Sequence, residues 1–181
     1  MRRFFAAGWL TLSLLFFGCP ARSLNPLFTE EESVYNPALT GQWRGDGTTL
    51  TFTRNGAKEY RAVYRDNQSG DSLVYAVRLG TVGDRWFLDS SPMESPKDDH
   101  LVTAHMISKI WFEKDRLHIA MLEADWLAKM VDAGKMKVSH VRRGHEVILT
   151  APTATLKQLA EKFGGSKEAF PESGAPFVRV K

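Results

Sequence analysis

The sequence has almost no cysteine: only one of its 181 residues is a cysteine. A single thiol cannot form a disulfide within the chain, so the fold must be stabilised by packing. It also excludes the paired-cysteine patterns of structural zinc sites. Other signatures are missing too, namely H-E-x-x-H, G-x-S-x-G and a phosphate-binding glycine loop followed by lysine. The sequence therefore supports no catalytic residue, no metal site and no cofactor.

An excess of charge of one sign is also lacking. The chain has 24 lysines and arginines against 21 acidic residues, which gives a formal net charge of +3. Two of the positive charges, Arg2 and Arg3, stand together at the start of the chain, and the remainder is nearly neutral. Nucleic-acid binding requires lysine and arginine clustered on one face. The composition therefore predicts no nucleic-acid partner.

There is a single long apolar run, residues 4–17, and it lies between Arg2-Arg3 and Gly18-Cys19-Pro20. The run is short for a membrane-spanning helix, which needs about 20 apolar residues. A short basic region followed by an apolar region and a small residue is typical of a secretory signal. We therefore expect residues 1–18 to be a signal peptide.

The junction Gly18-Cys19 resembles the lipobox of bacterial lipoproteins. The resemblance implies that signal peptidase cuts before Cys19, that its sulfur carries diacylglycerol and that its amine is acylated. Several acyl chains, unlike one, hold a protein stably on a membrane. The same resemblance implies that the protein is located in the bacterial cell envelope. Proline rather than aspartate after the cysteine, here Pro20, resembles the pattern of lipoproteins that are sorted to the outer membrane and face the periplasm. An ordinary secretory signal and a retained membrane anchor are the alternatives.

Residues 19–40 are predicted to be the lipidated cysteine and a tether. Asn25-Pro26 and Asn36-Pro37 interrupt regular structure, and the acidic run at 30–32 favours solvent. The apolar residues of this stretch leave the alternative that it docks partly on the following domain. These residues are Leu27, Phe28, Val34 and Tyr35.

From Gly41 onwards apolar and polar residues alternate with the period of two that is typical of strands, and Gly/Asn/Asp-rich turns separate the segments. We expect a single domain over residues 41–181, built largely as an antiparallel meander. The predicted strands are 50–53, 60–65, 73–79, 85–89, 101–112, 117–122, 136–141, 146–150 and 177–180.

Two short helices interrupt the strands, near residues 125–133 and 156–163. Asp125 is expected to cap the first helix, before apolar residues at helical spacing. Thr155 and Gln158 have the spacing of a capping box for the second.

An open sheet of about eight strands in up-and-down order would leave two unpaired edge strands. Closure into a barrel pairs these two edges with each other. Gly41-Gln42-Trp43 is similar to the G-x-W that opens the first strand of lipocalins and related calycin barrels. The predicted fold is mainly β: an antiparallel, lipocalin-like up-and-down barrel with two short helices. The resemblance implies that Trp43 lies over the closed base of the barrel and that Gly41 permits a close backbone approach.

Aromatic residues on the predicted strands are the candidate ligand or barrel-base residues. Alternation sends half of the strand residues inward, where they either fill the interior or line an apolar pocket. The candidates are Trp43, Tyr64, Tyr75, Trp86 and Trp111.

Histidines give a weaker candidate polar site. His100 and His105 would face opposite sides of one strand, unless His100 lies in the preceding loop with the aspartates at 98–99. His140 and His145 flank a predicted hairpin turn, without a recognised ligand spacing.

Three functions remain open. The first is a non-enzymatic, membrane-tethered barrel that binds an apolar or amphipathic small molecule or an envelope protein. The second is a structural accessory subunit of an envelope complex, with a filled barrel. The third is a hydrolase or metal-dependent enzyme that uses His100, His105 and the 90–99 loop.

Overall fold

The computed structural model of the protein describes residues 19–93, 102–172 and 174–181. The predicted signal peptide and His100 lie outside these ranges. Within them the chain forms eleven strands and two helices. The elements are β1 (Arg22–Ser23), β2 (Gly41–Gly45), β3 (Thr48–Asn55), β4 (Glu59–Asp66), β5 (Ser72–Val82), β6 (Arg85–Pro92), β7 (His105–Glu113), β8 (Arg116–Met121), α1 (Ala124–Asp132), β9 (His140–Arg143), β10 (Glu146–Leu149), α2 (Thr153–Phe163) and β11 (Phe177–Arg179).

The strands of the described chain close into an eight-stranded antiparallel barrel. Neighbours around the ring are β2, β3, β4, β5, β6, β7, β8 and β11, and β11 pairs with β2 to complete it. The pairing of β6 with β7 joins the two halves of the meander. The predicted fold, a lipocalin-like antiparallel barrel that is mainly β with two short helices, is confirmed.

Three strands lie outside the barrel. β1 continues along β7 beyond the end of β8, and β10 pairs with β1 in parallel. β9 then completes the β9–β10 hairpin. The hairpin around Arg143-Gly144 is therefore present, but β9 begins at His140 rather than near residue 136. Similarly, β7 begins at His105 rather than near residue 101.

The two ends of the barrel differ, and we call them the base and the mouth. The base is the end with the β3–β4, β5–β6 and β7–β8 hairpins. Residues 35–39 pack there: Tyr35 stacks on Tyr60, and the N–H of Asn36 donates to the Tyr60 hydroxyl at 2.6 Å. The mouth is the end with the β2–β3 and β4–β5 hairpins, where β6 and β8 end and β7 begins. Because the strands are tilted, directly paired residues on successive strands move step by step towards the mouth. Trp43 pairs with Leu50, Leu50 pairs with Tyr64, and Tyr64 pairs with Leu73, which lies at the mouth.

The base is filled by apolar side chains that point inward. The Trp43 indole N–H donates to the carbonyl of Leu39 at 2.9 Å, and the guanidinium of Arg179 lies 4.2 Å from the indole ring centroid. Arg179 also donates from Nη1 to the Thr40 carbonyl at 2.9 Å. The inner cluster that results is at most 5% exposed and comprises Leu39, Trp43, Phe52, Tyr60, Ala62, Val77, Leu79, Leu88, Ile110 and Leu117.

A second core forms on the outer face of the barrel, where both helices and the N-terminal segment pack. The barrel contributes to this core the strand residues that alternate with the inward-facing ones, among them Phe87 and Ile107. α1 contributes Leu127, and α2 contributes Leu156 and Leu159. The helices therefore cover the outside of the sheet.

Both helices lie close to the predicted ranges, but the predicted caps are wrong. Glu123, not Asp125, caps α1: its Oε2 accepts from the backbone N–H of Trp126 at 2.6 Å. α2 begins at Thr153, with Pro152 at the N-cap, so Thr155 lies inside the helix and cannot form the capping box. The apolar stripe fixes the buried face of a helix more strongly than a single capping side chain fixes its start.

Residues 20–40, for which the sequence left docking open, pack against the barrel over much of their length. Leu27, Phe28 and Leu39 are at most 1% exposed. The backbone N–H of Val34 donates to the carbonyl of Leu79 at 2.8 Å, which holds the segment on β5. Docking is therefore observed for the segment that the sequence predicted as a tether.

We predict that Gly80→Ala destabilises the fold by about 1–3 kcal/mol, because overpacking a filled core costs energy of this size. A Cβ at residue 80 would lie 2.6 Å from Cε1 of the docked Phe28 ring. Without that contact, replacing a strand glycine by alanine would be neutral or stabilising. Urea unfolding of the four combinations of Gly80→Ala and Phe28→Leu measures the coupling. Equal effects of Gly80→Ala in both backgrounds would contradict the docking of Phe28.

Candidate functional site

The mouth of the barrel is surrounded by a ring of inward-facing residues that is mostly apolar. Because side chains alternate along each strand, the register identifies the last inward position before the mouth. The last inward positions are Gly45, Thr48, Asp66, Leu73, Pro92, Met106, Met121 and Phe177, and Tyr64 lies one inward position below Asp66. We call these nine residues the rim.

Several apolar rim side chains are exposed to solvent. Leu73 is 55% exposed and Met121 is 41% exposed, and Met93, just after β6, is 44% exposed. Inward residues near the base are almost fully buried. Among the described residues, inward side chains are thus buried at the base and partly exposed at the mouth, and ligand sites of barrels occur preferentially at the mouth.

Two tyrosines place phenol groups among these apolar side chains. Tyr64 pairs with Leu50 and Leu73 in the ladder, and its hydroxyl lies 3.3 Å from Oγ1 of Thr48. Tyr75 lies on the inner face of β5, and burial raises the pKa of its phenol, with a smaller contribution from Tyr64. A neutral phenol both donates and accepts a hydrogen bond, so these groups can orient the polar end of a ligand.

The two remaining tryptophan candidates lie on opposite faces of the barrel wall. Trp86 faces inward and packs against the inner cluster. Trp111 has the parity of Ile107 on β7 and faces outward, where it stacks on His118 with ring centroids 4.6 Å apart. The assignment of Trp111 to the barrel interior or base is therefore wrong, because the register of β7 directs it to the other side.

His105 forms a hydrogen-bonded pair with Asp89 on the outer face of the barrel. Its Nδ1 lies 2.7 Å from Oδ1 of Asp89, whose side chain is only 2% exposed, whereas that of His105 is 19% exposed. The other carboxylate oxygen, Oδ2, accepts from the backbone N–H of Leu27 at 2.7 Å. Asp89 therefore connects the docked N-terminal segment to β6 and β7.

A carboxylate that orients an imidazole is also the geometry of a general base, so the neighbouring hydroxyl matters. Ser23 lies opposite His105 in the β1–β7 pairing, but its hydroxyl donates to the carbonyl of Asn25 at 2.8 Å. The hydroxyl is thus engaged with the backbone of its own segment. This geometry favours a structural role for His105 and Asp89 in holding residues 23–27.

Metal-ligand geometry is not found in the described ranges, where no group of three or more His, Cys, Asp or Glu side chains is placed to hold an ion. His140 donates from Nδ1 to the carbonyl of Val138 at 2.8 Å, and His145 is exposed in the β9–β10 turn. His100 and the aspartates at 98–99 lie outside the described residues. Of the helices described, none is long and apolar enough to cross a membrane.

A depression of about 250 Å³ lies beside the β3–β4 turn, outside the barrel. Charged residues dominate its lining, including Lys58, Glu59 and Arg78, and Arg78 pairs with Glu59 at 3.4 Å. Such a lining is poorly suited to an apolar ligand, so the mouth is the stronger candidate site.

Comparisons with protein-family models, with curated proteins and with solved structures each gave no significant match.

The sequence pattern did not reveal Asp89 as a buried residue. A weak signal was present: the strand reads Trp86-Phe87-Leu88-Asp89, and an acidic residue in phase with Phe87 on a two-sided apolar strand requires a buried partner. The partners Leu27 and His105 come from distant parts of the chain, so the pairing required knowledge of the tertiary fold.

We predict that Asp89→Leu lowers the free energy of unfolding by about 1–3 kcal/mol, because the buried N–H of Leu27 loses its acceptor. The matched control is Asp84→Leu, since Asp84 has a side chain that is 81% exposed. Its effect should stay within about 0.5 kcal/mol, as for most surface changes. Urea unfolding checks both variants, and equal stabilities would show that Asp89 does not hold the segment.

Proposed function

We propose that this protein is a non-enzymatic, lipid-anchored protein of the bacterial cell envelope whose barrel mouth binds the apolar part of an amphipathic small molecule. The observation that carries the proposal is the exposed apolar rim above a closed, filled base. Ligand sites in β-barrel proteins occur preferentially at the mouth of the barrel.

The depth of the site selects the kind of ligand. The inner cluster already fills the base, so an apolar group can occupy only the upper part of the barrel. A ligand held there keeps its other end at the mouth, beside the phenols of Tyr64 and Tyr75. Each buried methylene contributes about 0.8 kcal/mol, so a few methylenes of an acyl chain suffice for measurable affinity. An amphipathic molecule fits these constraints better than a wholly apolar one.

Attachment to a membrane through Cys19 is the second part of the proposal. Cys19 is exposed and is the first described residue. Its position directly after Gly18 and the apolar run supports lipidation, and Pro20 supports sorting to the outer membrane on its periplasmic side. The anchor would keep the site close to the amphipathic molecules of the envelope.

An accessory subunit that binds an envelope protein is the second candidate. The filled base favours it, because a barrel without a deep cavity can still present its rim to another protein. In that case the rim would be buried against a polypeptide instead of a small molecule.

We predict that native mass spectrometry of the protein, purified from its own envelope, detects a small-molecule adduct that is lost on activation. Leu73→Asp places a carboxylate at the rim and should weaken ligand binding at least tenfold, which corresponds to about 1.4 kcal/mol. Val178→Asp is the matched control, because Val178 is 49% exposed on the outer face. Its adduct should match that of the wild type.

The same spectra test the anchor. The expected covalent mass is that of the chain from Cys19 with diacylglycerol and one further acyl group. An unmodified cysteine would contradict the anchor. A bare non-covalent mass would contradict the ligand, and a complex with a second protein would favour the accessory subunit.

A further inference from the structure

The backbone around Cys19 is hydrogen-bonded to the barrel domain. The carbonyl of Cys19 accepts from the N–H of Ala124 at 3.0 Å, and Pro20 forms a β-bridge with Glu123. The N–H of Ala21 donates to the carbonyl of Leu122 at 2.7 Å. A flexible spacer between Cys19 and the folded domain is therefore absent from the described chain.

These contacts place Cys19 near the mouth of the barrel. Glu123 and Ala124 follow Met121, which is both the last residue of β8 and a member of the rim. Three extended residues span at most about 11 Å, so Ala124 and the bonded Cys19 lie close to the rim. The base hairpins, such as the one at Asp84, lie at the opposite end of the strands.

The apolar sequence before Cys19 indicates what lies beyond it. Residues 4–17 are apolar and end just before Gly18 and Cys19. With the anchor proposed above, in which acyl chains on the cysteine replace this run, the bilayer lies at residue 19. Since Cys19 is bonded directly to the domain, the membrane lies at the mouth end of the barrel.

We propose that the mouth of the barrel faces the bilayer and that the apolar rim contacts the membrane surface. This inference rests on the proposed anchor at Cys19. It explains why Leu73 and Met121 are exposed in the isolated chain, because bilayer lipid would cover them. It also identifies the ligand class as an acyl lipid, which enters the barrel from the membrane rather than from the aqueous phase.

Two aspartates in neighbouring hairpins provide a matched test of this orientation. Asp71 lies in the β4–β5 hairpin at the mouth, and Asp84 lies in the β5–β6 hairpin at the base; both are exposed. Asp71→Cys and Asp84→Cys each introduce one free thiol, because the anchor occupies Cys19. Each lipidated variant is labelled with a fluorophore and reconstituted into phosphatidylethanolamine–phosphatidylglycerol vesicles that carry a nitroxide on the lipid headgroup.

We expect the nitroxide to quench the label at residue 71 several-fold more than the label at residue 84. Equal quenching, or stronger quenching at residue 84, in protein that floats with the vesicles would overturn the orientation while leaving the anchor intact. Protein that does not float with the vesicles would overturn the anchor and this inference together. Cys19→Ala, which should remain in solution with both labels unquenched, is the control for adsorption without an anchor.

Discussion

Closure of the barrel by the short strand β11 is the constraint on which the rest of the structure depends. β11 pairs with β8 on one side and β2 on the other, and without it both strands would be exposed edges. Arg179, the last residue of β11, lies over the Trp43 ring and donates to the Thr40 carbonyl. Backbone pairing and side-chain packing therefore converge at the base. With the base closed in this way, the exposed inward-facing apolar side chains of the described strands, such as Leu73 and Met121, lie at the mouth.

The outer and inner cores lie on opposite faces of the barrel wall and position different parts of the chain. The outer core joins the helices and residues 20–40 to the barrel wall, with Asp89 as its buried polar connection. It thereby fixes the position of Cys19 relative to the rim. The inner core fills the base, whereas Tyr75 and Trp86 are only partly buried and Met121 is exposed. Cys19, the rim and the phenols consequently lie towards one end of the molecule, which is the basis for proposing lipid recognition there.

Sequence patterns predicted the barrel because each hairpin is a local feature: alternation, turn residues and the G-x-W at Gly41 all lie within short windows. Long-range placement was less accessible. Trp111 is outward because of the register between β6 and β7, which no local pattern fixes. The Asp89–His105 pair connects β6, β7 and the backbone of Leu27. In the sequence analysis, His105 was considered only together with His100 and the neighbouring loop. The docking of Phe28 depends on the missing side chain of Gly80, a complementarity that becomes visible only when both segments are placed.

Binding of an acyl chain at the mouth is the central claim, and methionine methyl groups report on it directly. Met93, Met106 and Met121 lie at or beside the rim, whereas Met130 and Met136 lie in the outer core. The measurement is a methyl NMR titration of the Cys19→Ala chain with a single-chain lysophospholipid below its micelle concentration. We predict saturable shifts of Met106 and Met121, with Met130 and Met136 unchanged. Unchanged rim methyl groups, or uniform shifts of all five, would contradict the account.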